Sequence, residues 1–499
     1  AFLILFIAGI NFTNLTTSLI PLRLKTINTH RVLGCSIYQL RAISLIESIV
    51  ICLISYILAL FIVNDLSYTP IANWVDADIR LSQYKGLILL TALIAILTGC
   101  LAGLYPAIRS TSYAPALVLK GSFRLSPKGK KVRVALIGFQ YTVSIALIIV
   151  TLFMGLQNHF MTSSEQLGFN KDQVAIVNLT PEIYAKHKPQ YIQKLKDYPG
   201  IEDVAFSVYE LSKEDDMIDL EYARHEDKDV FFKVFYASEN FLSVMDIQVE
   251  EGRDFTREDL NKAQSDYIIN PAAERDFHLH PGDRFNDRTV LGVSKDFRFN
   301  SCRIASSPFV FALNNDIPNP KLVSYIRFNS KTNLQEAVAH VRETLKEIDP
   351  TFPFEISFYN TILNNLYQKE QTLGKLISLF GIMAILISIV GVFGLVLFET
   401  QYRRKEIGIR KINGATTGQI LLMFNKTYIR IVSVCFIISI PIAWMGTQQW
   451  LENFAYKTPL HLWVFIVAFL IILSVTIGTV TFRNWQAANE NPVNSVKSE

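Results

Sequence analysis

The 499-residue chain is short of charge and of cysteine. Lys, Arg, Asp and Glu supply 18% of it, against roughly 25% in soluble domains. The deficit is local: several windows of about 20 residues carry no charge at all, while 158–375 has an ordinary share. That distribution excludes a plain soluble enzyme, a disordered chain and a rod. Five cysteines (Cys35, Cys52, Cys100, Cys302, Cys435) follow no paired spacing, which argues against a disulfide framework or a zinc site. There is no G-x-x-x-x-G-K-[ST] loop; Gly374-Lys375 and Gly129-Lys130 lack both the earlier Gly and the following Ser or Thr. H-E-x-x-H and G-x-S-x-G are missing too. His278 and His280 stand in an expected loop without neighbouring ligands, and Glu214-Asp215-Asp216 reads as a solvated loop. No catalytic, cofactor-binding or metal-binding residue is therefore expected. Lys128–Arg133 borders an apolar run and reads as an inner-leaflet anchor, not a nucleic-acid site.

What is present is apolar: 50% of residues, with a mean hydropathy of +0.26 and a formal net charge of +4. Seven spans are expected, at about 1–20, 42–63, 86–108, 134–156, 376–397, 429–449 and 462–482. Segment 22–41 carries Arg23, Lys25, Arg31 and Arg41 without an acid. Segment 109–133 carries Arg109, Lys120, Arg124, Lys128, Lys130, Lys131 and Arg133, again without one. Segment 401–430 adds Arg403, Arg404, Lys405, Arg410, Lys411, Lys426 and Arg430 against Glu406. The alternate loops 64–85 and 450–461 are poor in Lys and Arg, so basic loops share the cytoplasmic side and 157–375 lies outside. Trp450 and Trp463 bracket an outer loop, Gly99 and Gly103 form a small-xxx-small pair, and Glu47, Asn11 and Asn14 suit interhelix hydrogen bonds. Residue 1 is Ala inside an apolar run, from which a missing N-terminal start is expected.

The membrane halves repeat each other. R-L-K-T-I-N-T-H-R-V-L-G-C-S-I-Y-Q (Arg23–Gln39) aligns with R-R-K-E-I-G-I-R-K-I-N-G-A-T-T-G-Q (Arg403–Gln419) at a constant offset of 380. Ala114–Lys120 and Asn491–Lys497 form a second echo. In the later copy a short basic helix over Arg403–Lys411 places Glu406 to pair Arg403 and Arg410. Asn413-Gly414 suits a helix end that needs positive φ, and Thr416-x-x-Gln419 and Ser36-x-x-Gln39 fit capping boxes opening the next helix. Lipid anchoring would need only charge; repetition of Gly and caps at fixed spacing points to a docking element.

With this motif the chain resembles the MacB/FtsX-like family of ABC-transporter permeases, in a long two-repeat form that is N-terminally truncated. Arg403–Ala415 reproduces the family's post-helix pattern almost completely. Leu167-Gly168-Phe169, Pro199-Gly200-Ile201-Glu202, Glu251–Phe255, Val293–Phe297 and Tyr367–Gln371 follow in the order of its periplasmic core. The resemblance implies a membrane all-α bundle of about seven transmembrane helices in two FtsX-like repeats, with an α+β periplasmic domain. The boundaries would be 1–133 (remainder of the first repeat), 134–156 (a span), 157–375 (MacB-like core with helical stalk ends) and 376–499 (second repeat). It implies a permease for export or efflux in a bacterial inner membrane, itself not an enzyme. ATP would be bound by a separate cytoplasmic subunit, in two copies, with a periplasmic adaptor or hydrolase as a further partner class. The ATPase-coupling residues would be Arg403, Glu406, Gly408, Arg410, Lys411 and Gly414, with Arg31 and Gly34 in the other half. There Thr26, Asn28 and His30 replace Glu, Gly and Arg, so unequal ATPase contacts are expected. A non-transporting signalling or hydrolase-regulating module is the alternative.

In the aqueous segment, Asn333–Ile348 reads as an amphipathic helix with Leu334, Val338, Val341, Leu345 and Ile348 on one face. Asn333-x-x-Glu336 would cap its start, and strands Ser324–Phe328 and Phe354–Phe358 would flank it as a β-α-β unit. Gln157–Gln166 and Thr361–Leu373 read as outward continuations of the fourth and fifth spans, with Ile362, Leu366 and Leu373 packed as a stalk that acts as a lever.

Overall fold

The computed structural model describes residues 2–69, 72, 80–112, 127–163, 167–212, 219–262, 264–298, 301–313 and 322–489. Ala114–Lys120, Arg124, Gln166, Glu214-Asp215-Asp216 and Asn491–Lys497 lie outside the described residues. The chain forms two compact units, one of 1–155, 372–450 and 459–499, the other of 156–371 and 451–458.

The first unit is helical. Its helices are α1 (Phe2–Val32), α2 (Ile37–Leu66), α3 (Lys85–Thr111) and α4 (Pro127–Thr162). Among the described residues seven helices, these four included, are long and apolar enough to cross a membrane. At about 1.5 Å per residue α4 reaches about 54 Å, well beyond the ~30 Å hydrocarbon core. Ile54, Leu58 and Phe61 on α2 are exposed, a face that suits lipid and not water. Gly99 and Gly103 on α3 bring α2 close: a Cβ would meet Ile49 Cα at 3.0 Å and Ser48 Oγ at 2.5 Å.

The second unit is an eleven-stranded mixed sheet with helices packed on it. In chain order it contains β1 (Val174–Leu179), α5 (Lys188–Lys196), β2 (Ile201–Ser207), β3 (Asp219–His225), β4 (Lys228–Ala237), α6 (Phe241–Met245) and β5 (Val249–Gly252). It continues through β6 (Tyr267–Ile269), α7 (Pro271–Phe277), β7 (Arg284–Phe285), β8 (Arg288–Ser294), β9 (Phe309–Leu313) and β10 (Leu322–Phe328). Then come α8 (Leu334–Ile348), β11 (Ile356–Phe358) and α9 (Tyr359–Leu366). The strand order is β11-β1-β10-β2-β4-β9-β6-β8-β5, with β3 on β4 and β7 on β8. β2 and β4 share a single residue pair, Ser207 with Ala237.

Strands β10 and β11 do flank α8, but β1 pairs antiparallel between them, so the β-α-β unit is split. The buried face of α8 is Ala337, Val341, Thr344 and Leu345. Leu334, expected inside, is exposed in the first turn. Asn333 does cap α8, accepting from Gln335 N–H at 3.1 Å, and its side chain donates to Glu336 at 2.8 Å.

The remaining helices are α10 (Gln368–Tyr402), α11 (Arg404–Ile412), α12 (Thr417–Leu451) and α13 (Leu462–Asn489). The continuous extension expected over Thr361–Leu373 is broken, because Tyr367 leaves helical geometry at φ −106°, ψ 15° between α9 and α10. The break lets Tyr367 turn its hydroxyl to Cys302, whose N–H donates to it at 3.1 Å. Ile362 and Leu366 pack against the sheet core, whereas Leu373 is exposed.

Candidate coupling site

The duplicated motif folds the same way twice. In the later copy α11 ends in a Schellman turn: Gly414 N–H donates to Lys411 O at 3.0 Å and Ala415 N–H to Arg410 O at 3.0 Å. In the earlier copy Gly34 N–H donates to Arg31 O at 3.1 Å and Cys35 N–H to His30 O at 3.0 Å, the same bonds 380 residues earlier. Gly34 and Gly414 have φ of +96° and +86°, which a side chain would strain. Each turn runs directly into a capping box. Ser36 N–H donates to Gln39 Oε1 at 3.0 Å and Gln39 N–H to Ser36 Oγ at 3.3 Å; Thr416 and Gln419 repeat this at 3.1 and 3.3 Å. The result is helix, tight turn, helix, fixed by backbone geometry in both halves.

The halves differ where their sequences differ. Glu406 of α11 pairs Arg410 at 2.9 Å and Arg403, just before the helix, at 4.0 Å. Arg403 also meets Glu399 at 2.9 Å, and Glu399 accepts from the Tyr428 hydroxyl at 3.1 Å. Helix α11 is separated from α10 at Arg403, with φ −94° and ψ 8°. The earlier copy has Thr26 in place of Glu, and α1 runs unbroken to Val32. Arg23 there turns to Glu47 of α2 at 2.7 Å, and Arg31 donates to Thr111 O at 3.3 Å. Asn28, standing where the later copy has Gly408, is buried and bonds Leu24 O at 2.9 Å. Gly408 is buried as well. Both tips combine basic residues with large exposed apolar ones: Ile409 and Ile412 in one, Val32, Leu33 and Tyr38 in the other. Glu399 stands four residues before Arg403 and Glu47 suited an interhelix bond by sequence, but that Glu47 meets Arg23 and Tyr428 meets Glu399 was beyond sequence reasoning, since those contacts join different helices.

A second constellation lies in the aqueous unit. The fully buried Gln157 of α4 treats segment 451–458 as a strand would, donating to Tyr456 O at 3.0 Å and accepting from Thr458 N–H at 2.8 Å. The Arg298 guanidinium lies 4.2 Å from the centre of the Tyr456 ring and 5.1 Å from that of Phe160. Tyr456 N–H donates to Cys302 O, and Arg303 pairs Glu370 at 2.8 Å. Burial pushes the Cys302 thiol and the Tyr367 phenol above their ordinary values, so both stay neutral. The sequence marked Tyr367–Gln371 and Gln157–Gln166 separately but nothing in it joined them into this cluster, because its members are scattered over 300 residues.

His280 does have neighbouring ligand groups, contrary to the sequence reading: Glu274 Oε1 is 3.6 Å from its Nδ1, and donor atoms of Glu251, Glu274 and His280 lie within 4.8 Å of one another. Helix α7 and the turn after it bring β5 and His280 together. Glu251 and His280 are exposed, and a surface His–carboxylate contact accounts for the group.

The FtsX-like permease C-terminal family model matches twice, over residues 1–115 and 378–492. The macrolide export ATP-binding/permease protein MacB of Aggregatibacter actinomycetemcomitans is 25% identical over 212 residues, covering 40% of this chain and 32% of that protein. MacB of Neisseria gonorrhoeae is 25% identical over 223 residues, covering 42% and 34%. The chain thus matches about a third of the length of these relatives. Among solved structures, the periplasmic region of MacB from Actinobacillus actinomycetemcomitans has a TM-score of 0.30 at 15% identity, covering 40% of this chain and 94% of that one. The extracellular domain of the noncanonic ABC-type transporter YknZ from Gram-positive bacteria has a TM-score of 0.28 at 15% identity, covering 37% and 99%.

Proposed function

We propose that this chain, both of whose membrane halves match the FtsX-like permease C-terminal family model, is a MacB/FtsX-like ABC permease, the membrane subunit coupling a separate cytoplasmic ATPase to its own aqueous domain. The observation that carries the reading is the twice-built helix–turn–helix at Arg23–Gln39 and Arg403–Gln419, with its matching Schellman turns and capping boxes. A lipid anchor has no use for a fixed turn geometry; a tip that must seat in a groove does. Ile409 and Ile412 with Arg410 and Lys411, and Val32 and Leu33 with Arg31, would form the seated surfaces. Glu406 and Arg403 would hold the later tip in shape, Gly408 would keep its inner face slim, and Gly34 and Gly414 would set the turns.

In this reading the basic loops face the cytoplasm and 157–375 faces the periplasm of a bacterial inner membrane. ATP-driven closure of two ATPase copies moves the tips, and the aqueous domain changes shape to export a substrate received outside the membrane. Hydrolysis in this reading falls to that ATP-binding subunit; the G-x-x-x-x-G-K-[ST] pattern does not occur in these 499 residues.

Co-purification of the chain with ATP-binding subunits, wild type against Glu406→Ala/Arg410→Ala, tests the proposal. The expected result is an ATPase retained by wild type and lost by the variant. If no ATPase associates with either, the tips revert to lipid anchors. Recovery of a histidine kinase or a cell-wall hydrolase alongside the ATPase would turn the reading from export to signalling or hydrolase control.

A further inference from the structure

Helices α1 and α2 carry an ion pair on a face that otherwise suits lipid. Arg23 Nη1 meets Glu47 Oε2 at 2.7 Å, and the two side chains keep 49% and 42% of their surface exposed. Glu47 stands among Ile43, Ile46, Val50 and Ile54 of α2, all of them exposed. Arg23 follows the apolar window of α1, which ends at Ile20. At about 1.5 Å per residue, Glu47 lies about 15 Å from the start of α2 and about 27 Å from Asp65 near its other end. With a hydrocarbon core of about 30 Å, that spacing puts the pair at the inner boundary between acyl chains and headgroups. A charge on a lipid face is costly in hydrocarbon and is kept where it reaches a polar partner.

The second repeat is built differently at the same positions. At the offset of 380, Ile46, Glu47 and Val50 correspond to Lys426, Thr427 and Arg430 of α12, all three exposed. The counterpart of Arg23, Arg403, is turned instead to Glu399 of α10. That face is basic and suits any phosphate, whereas the face of the first repeat is a matched pair of opposite charges. In the second repeat a further helix does not cover the position. There α4 lies against α12 and α13, with the Tyr141 hydroxyl 3.0 Å from that of Thr476 and a Cβ on Gly138 3.6 Å from Cys435 Sγ, and Thr427 is still exposed.

We propose that Arg23 and Glu47 form a binding site for the headgroup of a zwitterionic aminophospholipid of the inner leaflet, with its phosphate on Arg23 and its ammonium on Glu47. A guanidinium has five N–H donors in a planar fork that suits phosphate oxygens, and a carboxylate has two oxygens. The single bond between them therefore leaves donors and an acceptor for a ligand. The headgroup, like the pair, carries one charge of each sign on neighbouring groups. An anionic headgroup supplies phosphate alone and meets repulsion from the Glu47 carboxylate, so the site selects against it even though segment 22–41 is basic. The proposal rests on α1 and α2 spanning a membrane and is independent of which ATPase binds the tips.

The test offers the full chain, purified in detergent, equimolar phosphatidylethanolamine and phosphatidylglycerol and counts the retained lipids by native mass spectrometry. Wild type is expected to favour phosphatidylethanolamine, and Glu47→Gln to lower that preference about fivefold. Lys426→Gln/Arg430→Gln, on the matching face of the other repeat, is expected to reduce retained phosphatidylglycerol and leave phosphatidylethanolamine unchanged. A lipid ratio that Glu47→Gln leaves at the wild-type value would overturn the proposal, and so would loss of phosphatidylethanolamine in the Lys426/Arg430 variant. Thermal unfolding of the wild type gives a reading that needs no variant. Added phosphatidylethanolamine should raise the midpoint by several degrees more than added phosphatidylglycerol; equal shifts would count against the site as decisively.

Discussion

Gly168 holds φ at +76°, and a Cβ there would lie 2.1 Å from Asp296 O and 2.9 Å from Phe297 Cα. Gly252 repeats the situation at φ +80°, 2.2 Å from Leu291 O. These contacts explain why Leu167-Gly168-Phe169 and Val293–Phe297 are separate in sequence yet act together: Arg298 N–H bonds Leu167 O at 2.8 Å, and Phe169 and Phe297 enter one core. Gly168→Ala should therefore cost about 1–3 kcal/mol from backbone strain alone, seen as a lower thermal midpoint of the solubilised chain. A midpoint equal to wild type would show that the loop relaxes freely. Asp259 makes a pH-dependent case. It is buried, and the Arg253 guanidinium, gripping it at 2.7 and 2.8 Å, holds its carboxyl well below the usual carboxylate range, with help from Thr256 and Lys262. A depressed folded value means the contribution is complete above the unfolded value of about 4 and is lost as pH falls below it. Asp259→Asn should cost about 3 kcal/mol at neutral pH, with the gap to wild type closing as the pH drops from 5 toward 2. A gap of constant size across that range would refute the ionic account.

At the scale of elements, the two proposed coupling tips share turns and caps but not suspension. Helix α11 is detached from α10 at Arg403 and held by the Glu406 and Glu399 pairs, whereas α1 carries its tip as a continuous rod. Gly34→Ala and Gly414→Ala should each cost about 1 kcal/mol, a loss both helices can absorb without unfolding. Their effect on coupling should differ: exchanging the earlier and later motifs and measuring permease-stimulated ATPase activity is expected to show a larger deficit when the later site is altered. Indistinguishable deficits would sink the asymmetry. The tips themselves were legible in the sequence because capping and Schellman geometry is local, settled by residues within six positions of one another. The broken outward extension at Tyr367 was not, because the apolar pattern runs on through 361–373 and the turn is decided by a hydrogen bond to Cys302, 65 residues away.

At the scale of the whole molecule, the aqueous unit is not one stretch of sequence. Segment 451–458 belongs to it and is held through the two bonds of Gln157. Gln157→Ala strands a buried N–H and C=O, a loss of about 2 kcal/mol. Hydrogen exchange at Thr458 should speed up at least tenfold, while the core of β10 stays protected. Unchanged exchange at Thr458 would show that Arg298 and Tyr456 hold the segment without Gln157.

The sequence by itself determined the number of apolar helices, the repeat at offset 380, the turns and caps of both tips and the mixed character of the aqueous unit. Hydropathy, charge placement and capping act over a few residues, so a linear reading captures them. Only the tertiary structure decided which residues meet: Arg23 with Glu47, Tyr428 with Glu399, Gln157 with segment 451–458, and Asn11 with the glycine standing at its own place in the other repeat. Those pairings depend on how helices cross and strands order themselves, and close packing fixes that jointly for all elements, so no single stretch of chain contains it.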